Sequence, residues 1–315
     1  MHKQISGLHH VTALASDPQR NLDFYTGVLG LRLVKKTINF DLPEVYHLYY
    51  GDYKGNPGTI LTFFPFPNMH KGRKGQGQLT VISFSIEEKA LSFWIERLMQ
   101  YQIPFEGPYK RFGKEAYLYF HDPDGLGLEL VANREEKRRG YGHGNIPEGL
   151  SIKGLYGVAL CEEGYEDTAR LLTEHLGHHI VSQEGSRYRY ASQAEYPNYV
   201  DIICIPDALK GMSGSGTVHH VAFAAPSDEM QLQVHAKLAR AGLNVTPVLD
   251  RSYFRSIYFR EHGGVLFEVA TKLPGFALDE PLEHLGELLK LPGWAEPMRH
   301  QIEETLPILY DRRAA

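Results

Sequence analysis

Cysteine is nearly absent. Two residues in 315, Cys161 and Cys204, make no disulfide framework and point to a reducing compartment. A basic excess is missing too. Lys and Arg number 33 against 38 Asp and Glu, and the formal net charge of −5 gives no bulk field that favours nucleic acid or an anionic membrane surface. No run of about 18 apolar residues occurs, which excludes a conventional membrane-spanning helix. The start, Met1-His2-Lys3-Gln4-Ile5, has no apolar segment of a secretory signal. The expectation is a cytoplasmic protein with neither nucleic acid nor membrane as partner. The length suits two domains or one large barrel, and the composition is that of an ordinary globular chain.

What is present is repetition. Four segments open on a short apolar strand with an aligned valine, at Val11, Val81, Val158 and Val221, spaced 70, 77 and 63 residues apart. A helix follows each. Asp17-Pro18 caps the first, Leu22, Tyr25 and Leu29 share a face, and Gly30 stops it. The second spans 87–102 with a stripe of Leu91, Ile95 and Leu98; the third spans 165–176 and ends at Gly177. The fourth is capped by Ser227, carries Leu232 and Leu238, and ends at Gly242. Strand-like runs come next, at 31–40, 46–50 and 59–64 in the first unit and 245–249, 256–259 and 265–271 in the last. Two further strands are expected at 187–191 and 200–205 in the third unit. The unit reads βαβββ, and the fold class is α+β, with four such modules forming two open, cup-like barrels and helices outside.

The expected division is a half at 1–140 with modules near 5–66 and 77–133, a half at 150–273 with modules near 152–206 and 216–273, and a helical tail at 274–315. Tail helices are expected over 281–290 and 296–306, covering part of a barrel. The joint at 134–149 contains Lys137-Arg138-Arg139, which Glu135 and Glu136 offset, so it reads as a solvated linker.

Histidine pairs recur at equivalent places in the first and fourth units: His9-His10 before Val11 and His219-His220 before Val221. Side chains alternate along a strand, so if the valines face the helices the preceding residues face the cup. Those residues are His10, Thr80, Gly157 and His220, and Thr12 and Ala222 share the face. Counting from the turn glycines Gly58, Gly125 and Gly264 places Thr62, Glu129 and Glu268 at one position of the last strands. Only the fourth unit carries both imidazole and carboxylate. If units one and four share a cup, His10, His220 and Glu268 form a two-histidine, one-carboxylate set that binds Fe(II) on one face and leaves the other open. If units one and two pair instead, His10 is stranded. Glu129 has no histidine partner and reads as structural. His47, His121 and His262 are the competing ligands, and His47 shares unit one with His10.

The four modules over about 5–273 resemble the vicinal oxygen chelate, or glyoxalase–bleomycin-resistance–dioxygenase, superfamily. The paired histidines, with Asp250-Arg251-Ser252-Tyr253-Phe254 ahead of Ser256-Ile257-Tyr258-Phe259-Arg260, look like its ring-cleaving dioxygenases that open hydroquinones. The resemblance implies that units one and four form the metal-bearing barrel and that the second histidine of each pair is the ligand. It implies supporting roles for His9, Thr12, His219, Arg251 and Tyr258. The activity then expected is metal-dependent, extradiol-type opening of a hydroquinone- or catechol-type ring with O2, using Fe(II), with Mn(II) as a substitute.

Two other functions compete. A glyoxalase-type isomerase or lyase would use Zn(II) or Ni(II) with four protein ligands, and Thr62 leaves the fourth position without a carboxylate. A metal-free resistance protein would sequester a small molecule in the same cleft, which the triad disfavours. The oligomeric state is left open; exposed edges around the third unit and the long tail are compatible with a homodimer.

Overall fold

The computed structural model describes residues 4–310. The first module contains β1 (Leu8–Ala15), α1 (Pro18–Leu22), β2 (Arg32–Asn39), β3 (Leu42–Gly51) and β4 (Ile60–Pro65). The second contains β5 (Gln78–Glu87), α2 (Leu91–Gln100), β6 (Phe105–Arg111), β7 (Glu115–His121) and β8 (Gly127–Asn133). The third contains β9 (Gly154–Glu162), α3 (Glu166–Arg170), β10 (His179–Glu184), β11 (Arg187–Ala191) and β12 (Tyr199–Cys204). The fourth contains β13 (Val218–Ala225), α4 (Asp228–Arg240), β14 (Leu249–Asp250), β15 (Arg255–Arg260) and β16 (Leu266–Thr271). A short α5 (Arg299–Thr305) lies in the tail.

Two curled eight-stranded sheets result. One has the order β14-β15-β16-β13-β1-β4-β3-β2 and the other β10-β11-β12-β9-β5-β8-β7-β6. Modules one and four therefore share a cup, and modules two and three share the other. The joining seam is the antiparallel pair β1·β13, with Val11 opposite Val221. Both valines are fully buried.

Register explains why adjacent histidines serve one site. Between Leu8 and His10 the partner strand advances one residue, from Phe223 to Ala222, which makes His9 the extra residue of a β-bulge. The opposite shift occurs where Thr12 pairs with His220 and Ala13 with Val218, which makes His219 the extra residue. A bulge breaks strict alternation and re-aims a side chain, so both members of each pair reach the same region. In the second sheet the corresponding shifts fall at Thr80 and Tyr156. Ile82, not Val81, therefore stands opposite Val158, and the counterpart of His10 is Val81 rather than Thr80. The missed residue is the bulge itself, invisible without its partner strand.

The second cup is filled by ion pairs. Ser83 stands beside Glu129 and Ala159 beside Asp201, the positions matched by Glu268 in the first cup. Arg111 holds Glu129 at 2.8 Å and Glu115 at 2.9 Å, while Arg189 holds Asp201 at 2.6 Å and also pairs with Glu115. Guanidinium groups occupy the space between these carboxylates, and Glu129 is structural, as its lack of a histidine partner indicates.

The helices differ in detail from their sequence patterns. Asp17 caps α1 by accepting from the Arg20 amide, and the chain continues as a π-helical turn, Asp23–Val28, before Gly30 takes φ +67°. In α2 the buried face centres on Trp94 and Leu98, and Leu91 and Ile95 only flank it. Ser227 caps α4, whose buried residues are Gln231, Val234 and Leu238; Leu232 is 55 % exposed, on the opposite side from the core. The expected tail helix over 281–290 is not formed. Only Leu282–His284 makes a single tight turn, and Gly286 at φ +80° leaves helical geometry. Glu280 there accepts from the Gly286 and Leu288 amides, and buried Lys35 pairs with Glu280 and with Asp279 at 2.6 Å, fastening the tail over β2. The basic linker run is consumed locally: Arg138 pairs with Glu136 at 2.7 Å and Arg139 with Glu148 at 2.8 Å.

One joint between modules three and four depends on a proton. Thr168 Oγ1 lies 2.7 Å from Glu162 Oε2 and 2.5 Å from Glu261 Oε2, and all three side chains are buried. A hydroxyl has one hydrogen, so it serves one carboxylate only. Glu261 also accepts from the Gly263 and Val265 amides, while Glu162 Oε1 has no partner. Burial and the neighbouring Glu261 raise the Glu162 pKa, which makes it the protonated member. A carboxyl raised in the native state carries no penalty below its unfolded value of about 4.3 and its full penalty above its folded value. Stability conferred by this joint is therefore lost as pH rises through the folded pKa. Glu162→Gln, neutral at every pH, is expected to melt level with wild type near pH 4 and to gain on it steadily up to pH 9, by about 2–4 °C for each kcal/mol of penalty the wild type accumulates. Parallel melting curves for the two proteins across that range would contradict the assignment.

Candidate metal centre

β1, β13 and β16 carry the three candidate ligands. Thr12 pairs with His220 across β1·β13, and Ala222 pairs with Glu268 across β13·β16. His10 Nε2 lies 3.2 Å from His220 Nε2 and 3.3 Å from Glu268 Oε2, and His220 Nε2 lies 2.9 Å from the same carboxylate oxygen. All three residues are buried, and their ligand atoms lie within 4.8 Å of one another. Among the described residues no other group of three such side chains converges.

The bulged histidines set the ring states. His9 Nε2–H donates to the Thr271 carbonyl at 3.0 Å, which leaves His9 Nδ1 as an acceptor for His10 Nδ1–H at 2.8 Å. Burial, then His10, lowers the His9 pKa to about 3, so it is neutral as this chain of bonds requires. His220 Nδ1 meets His219 Nδ1 at 2.8 Å, and His219, kept neutral by a pKa that burial lowers to about 3, can accept there from His220 Nδ1–H. Each ligand histidine then presents a bare Nε2 lone pair to the centre. Such a hydrogen bond to the remote nitrogen is the usual way a metal-binding imidazole is oriented.

Glu268 completes the arrangement. Its Oε1 accepts from Ser256 Oγ, while Oε2 is buried with no hydrogen-bond donor. Burial would raise its pKa, but when His10 and His220 carry protons toward it they hold it well below the ordinary carboxylate range. Once those protons leave and each Nδ1 keeps its hydrogen, three lone-pair atoms face one another. A cation is what relieves that contact, and two imidazoles with one carboxylate suit a divalent first-row metal. Ser256→Ala removes the hold on Oε1. Losses of this kind cost about 10–100-fold in metal affinity, and chelator competition on the variant is expected to show a weakening in that range.

Arg251 and Tyr258 stand beside the triad. Arg251 Nε donates to Tyr258 Oη at 3.2 Å, and the Tyr258 ring meets His220 edge-on at 5.7 Å. The loop carrying Arg251 turns through Ser252 at φ +65°, held by the Ser252 amide on Asp250 Oδ1 at 2.8 Å. This brings Phe254 back against His9 and His10, at 5.0 and 5.2 Å between ring centres. Thr12, buried, meets Thr62 Oγ1 at 2.9 Å rather than a ligand. His47 lies outside the converging group: Nε2 is 2.8 Å from Thr62 Oγ1 and Nδ1 is 2.8 Å from Tyr49 Oη. It forms wall, with Tyr49, Phe64, Arg251, Phe254 and Tyr258, of a cavity of ≈ 30 Å³ above the triad. Sequence reasoning missed Ser256, Phe254 and Tyr49. Only the repeat register identifies Ser256 and Tyr49, since Tyr258 stands opposite Glu268 as Tyr49 stands opposite Thr62, and Phe254 joins the site through the turn at Ser252.

Paired βαβββ modules with a two-histidine, one-carboxylate cluster in one cup define a class of protein with a candidate metal centre on the cup's inner face. The chain belongs to the Glyoxalase/Bleomycin resistance protein/Dioxygenase superfamily, whose family model matches residues 7–130 and 157–269. It is 46 % identical over 306 residues to MhqO of Bacillus subtilis (strain 168), a candidate ring-cleaving dioxygenase, with 97 % of each chain covered. It is 31 % identical over 314 residues to the chlorohydroquinone/hydroquinone 1,2-dioxygenase of Sphingobium indicum, covering 96 % of this chain and 97 % of that one. A crystal structure of a candidate dioxygenase from Bacillus subtilis superposes with a TM-score of 0.95 at 46 % identity over 99 % of both chains. Glyoxalase I from Zea mays is similar in fold alone, with a TM-score of 0.65 at 14 % identity over 87 % of this chain and 96 % of that one.

Proposed function

We propose that this protein is a non-haem, extradiol-type ring-cleaving dioxygenase that opens a hydroquinone-type ring with O2, using Fe(II) held by His10, His220 and Glu268. The unpartnered Glu268 Oε2 between two bare imidazole nitrogens carries this reading. Mn(II) suits the same donors. Bound Fe(II) would supply a common site for a phenolate oxygen and O2 and a path for electrons between them. The likeness to the hydroquinone 1,2-dioxygenase of Sphingobium indicum supports a para-diol over a catechol as substrate.

The chain's own groups have definable tasks. His9 and His219 fix the ligand tautomers through Nδ1. Burial, then Glu268, raises the Tyr258 pKa, so its hydroxyl stays protonated and acts as a hydrogen-bond donor. Arg251, joined to that hydroxyl, places a fixed positive charge where negative charge develops on oxygen. Thr12 steadies the Thr62 side of the cup. The cavity of ≈ 30 Å³ is far below the roughly 150 Å³ that holds a benzene ring, so ring entry displaces its lip. The lip is the β2–β3 turn, where exposed Asp41 approaches Arg251 at 3.7 Å.

The isomerase reading needs a fourth ligand. Thr62 holds the position in β4 that Glu268 holds in β16, and it supplies a hydroxyl bonded to Thr12. No helix of the described residues is long and apolar enough to cross a membrane. A cytoplasmic location and a homodimer, with the apolar β10 edge at Ile180 and Val181 as one contact, belong to the same reading. So does the division into 1–140, 150–273 and 274–315.

Anaerobic loading with Fe(II), followed by oxygen uptake against a panel of hydroquinones and catechols, tests the activity. Uptake stoichiometric with a hydroquinone is expected. No uptake with any diol, together with tight Zn(II) or Ni(II) binding, would move the assignment to the isomerase class.

A further inference from the structure

The first cup has an internal two-fold relation that extends beyond the histidines. Glu268 on β16 matches Thr62 on β4, Tyr258 on β15 matches Tyr49 on β3, and Ser256 matches His47 two residues before each tyrosine. The contacts follow the same relation: Ser256 bonds Glu268, and His47 bonds Thr62. Two tyrosines therefore line one cavity from opposite flanks of the β1·β13 seam. Tyr258 sits against a metal ligand. Tyr49 has had no task assigned to it.

A para-diol poses a problem that a catechol does not. Its two oxygens lie at opposite ends of the ring, so only one can reach the triad. The other enters a buried cavity and needs a partner there, because an unpaired buried hydroxyl costs binding. Most polar groups of the wall are committed. Arg251 and Tyr258 bond each other, Asn39 Oδ1 caps the β2–β3 turn on the Asp41 amide, and both ring nitrogens of His47 are engaged. Tyr49 Oη makes one bond, to His47 Nδ1.

We propose that Tyr49, oriented by His47 and Thr62, holds the distal oxygen of a para-diol and selects it over an ortho-diol. The inference rests on the ring-cleaving reading above and deepens it. With the Tyr49 hydroxyl donating to His47 Nδ1, His47 Nε2–H donates to Thr62 Oγ1 and Thr62 donates to Thr12 Oγ1. Tyr49 Oη then accepts from the distal ring hydroxyl. With the other His47 tautomer, Nδ1–H donates to Tyr49 Oη and the phenolic hydrogen is freed for a ring oxygen. Either way one hydrogen-bonding position of Tyr49 is left for the cavity. Tyr49 touches substrate in this scheme, and His47 is a positioning residue.

The test is anaerobic binding to Fe(II)-loaded full-length protein, measured by calorimetry with hydroquinone, catechol and phenol, together with metal content and aerobic steady-state kinetics. For Tyr49→Phe, hydroquinone affinity is expected to fall about tenfold, to the level of phenol, with phenol and catechol unchanged and metal content intact. KM for hydroquinone should rise more than kcat falls. His47→Gln, which keeps a donor and an acceptor, should recover part of the hydroquinone preference that His47→Leu loses. Equal weakening of all three ligands by Tyr49→Phe, or unchanged hydroquinone binding in a variant whose parent binds it, would overturn the role of Tyr49 alone. Wild-type protein that binds no diol would overturn the ring-cleaving reading and this inference with it.

Discussion

Glu268→Gln is expected to leave a folded protein that retains no iron and consumes no oxygen with any diol, a loss of roughly a thousandfold or more. The substitution changes almost no volume at a fully buried position, so the packing of β16 is spared. The chemistry is not spared. An amide oxygen is a neutral and weaker donor than a carboxylate, and hard divalent cations favour the anion. The amide NH2 is the more damaging change, because it can turn toward His220 Nε2, which lies 2.9 Å from the native Oε2, and donate to the lone pair that metal would use. Ser256 stays bound to the other oxygen, which favours that rotamer. Metal analysis by mass spectrometry and an oxygen electrode decide the matter. A variant that keeps one iron per chain and full uptake would remove Glu268 from the centre. Removing an orienting group such as Ser256 costs about 10–100-fold in metal affinity; losing the ligand itself must cost more.

The repeat made much of this molecule legible from sequence. Strand–helix units are punctuated by caps at Asp17 and Ser227 and by left-handed glycines at Gly30 and Gly177, all of which the structure uses. The choice of His10, His220 and Glu268 came from matching positions between units, and the shared sheet of modules one and four brings those residues together. What escaped was whatever depends on a partner strand. A bulge is a relation between two strands, so the status of His9, His219 and Thr80 as extra residues could not be read from one of them. The same holds for His47 and Tyr49, which join the site through pairing with β4. The tail failed for another reason. Residues 281–290 have helical composition, but Glu280 satisfies the local amides and is itself neutralised by buried Lys35, a contact from 245 residues away.

Copying the Ser256–Glu268 clamp onto its counterpart is expected to turn an open centre into a closed one. The double variant T62E/H47S places a carboxylate on β4 where Glu268 stands on β16, and a serine on β3 where Ser256 stands on β15. Histidine gives up volume as threonine becomes glutamate, which limits overpacking at two neighbouring sites. The new carboxylate loses the Thr12 contact of 2.9 Å and gains the serine donor. Without metal, a second buried carboxylate near Glu268 is costly, so the metal-free variant should melt below wild type. With metal, two carboxylates and two imidazoles make a four-ligand set that neutralises a divalent cation. Zn(II) or Ni(II) affinity is expected to rise about tenfold or more, and metal should restore more of the melting temperature than it does in wild type. Oxygen uptake should fall roughly a hundredfold, because the added ligand takes a position that substrate or O2 needs and cancels the residual positive charge that attracts a phenolate. The single variant T62Q separates these effects, since it fills the space without the charge. If T62E/H47S keeps wild-type oxygen uptake while binding metal more tightly, the Thr62 side of the cup is not where substrate or oxygen approaches. The approach would then lie on the Arg251 side.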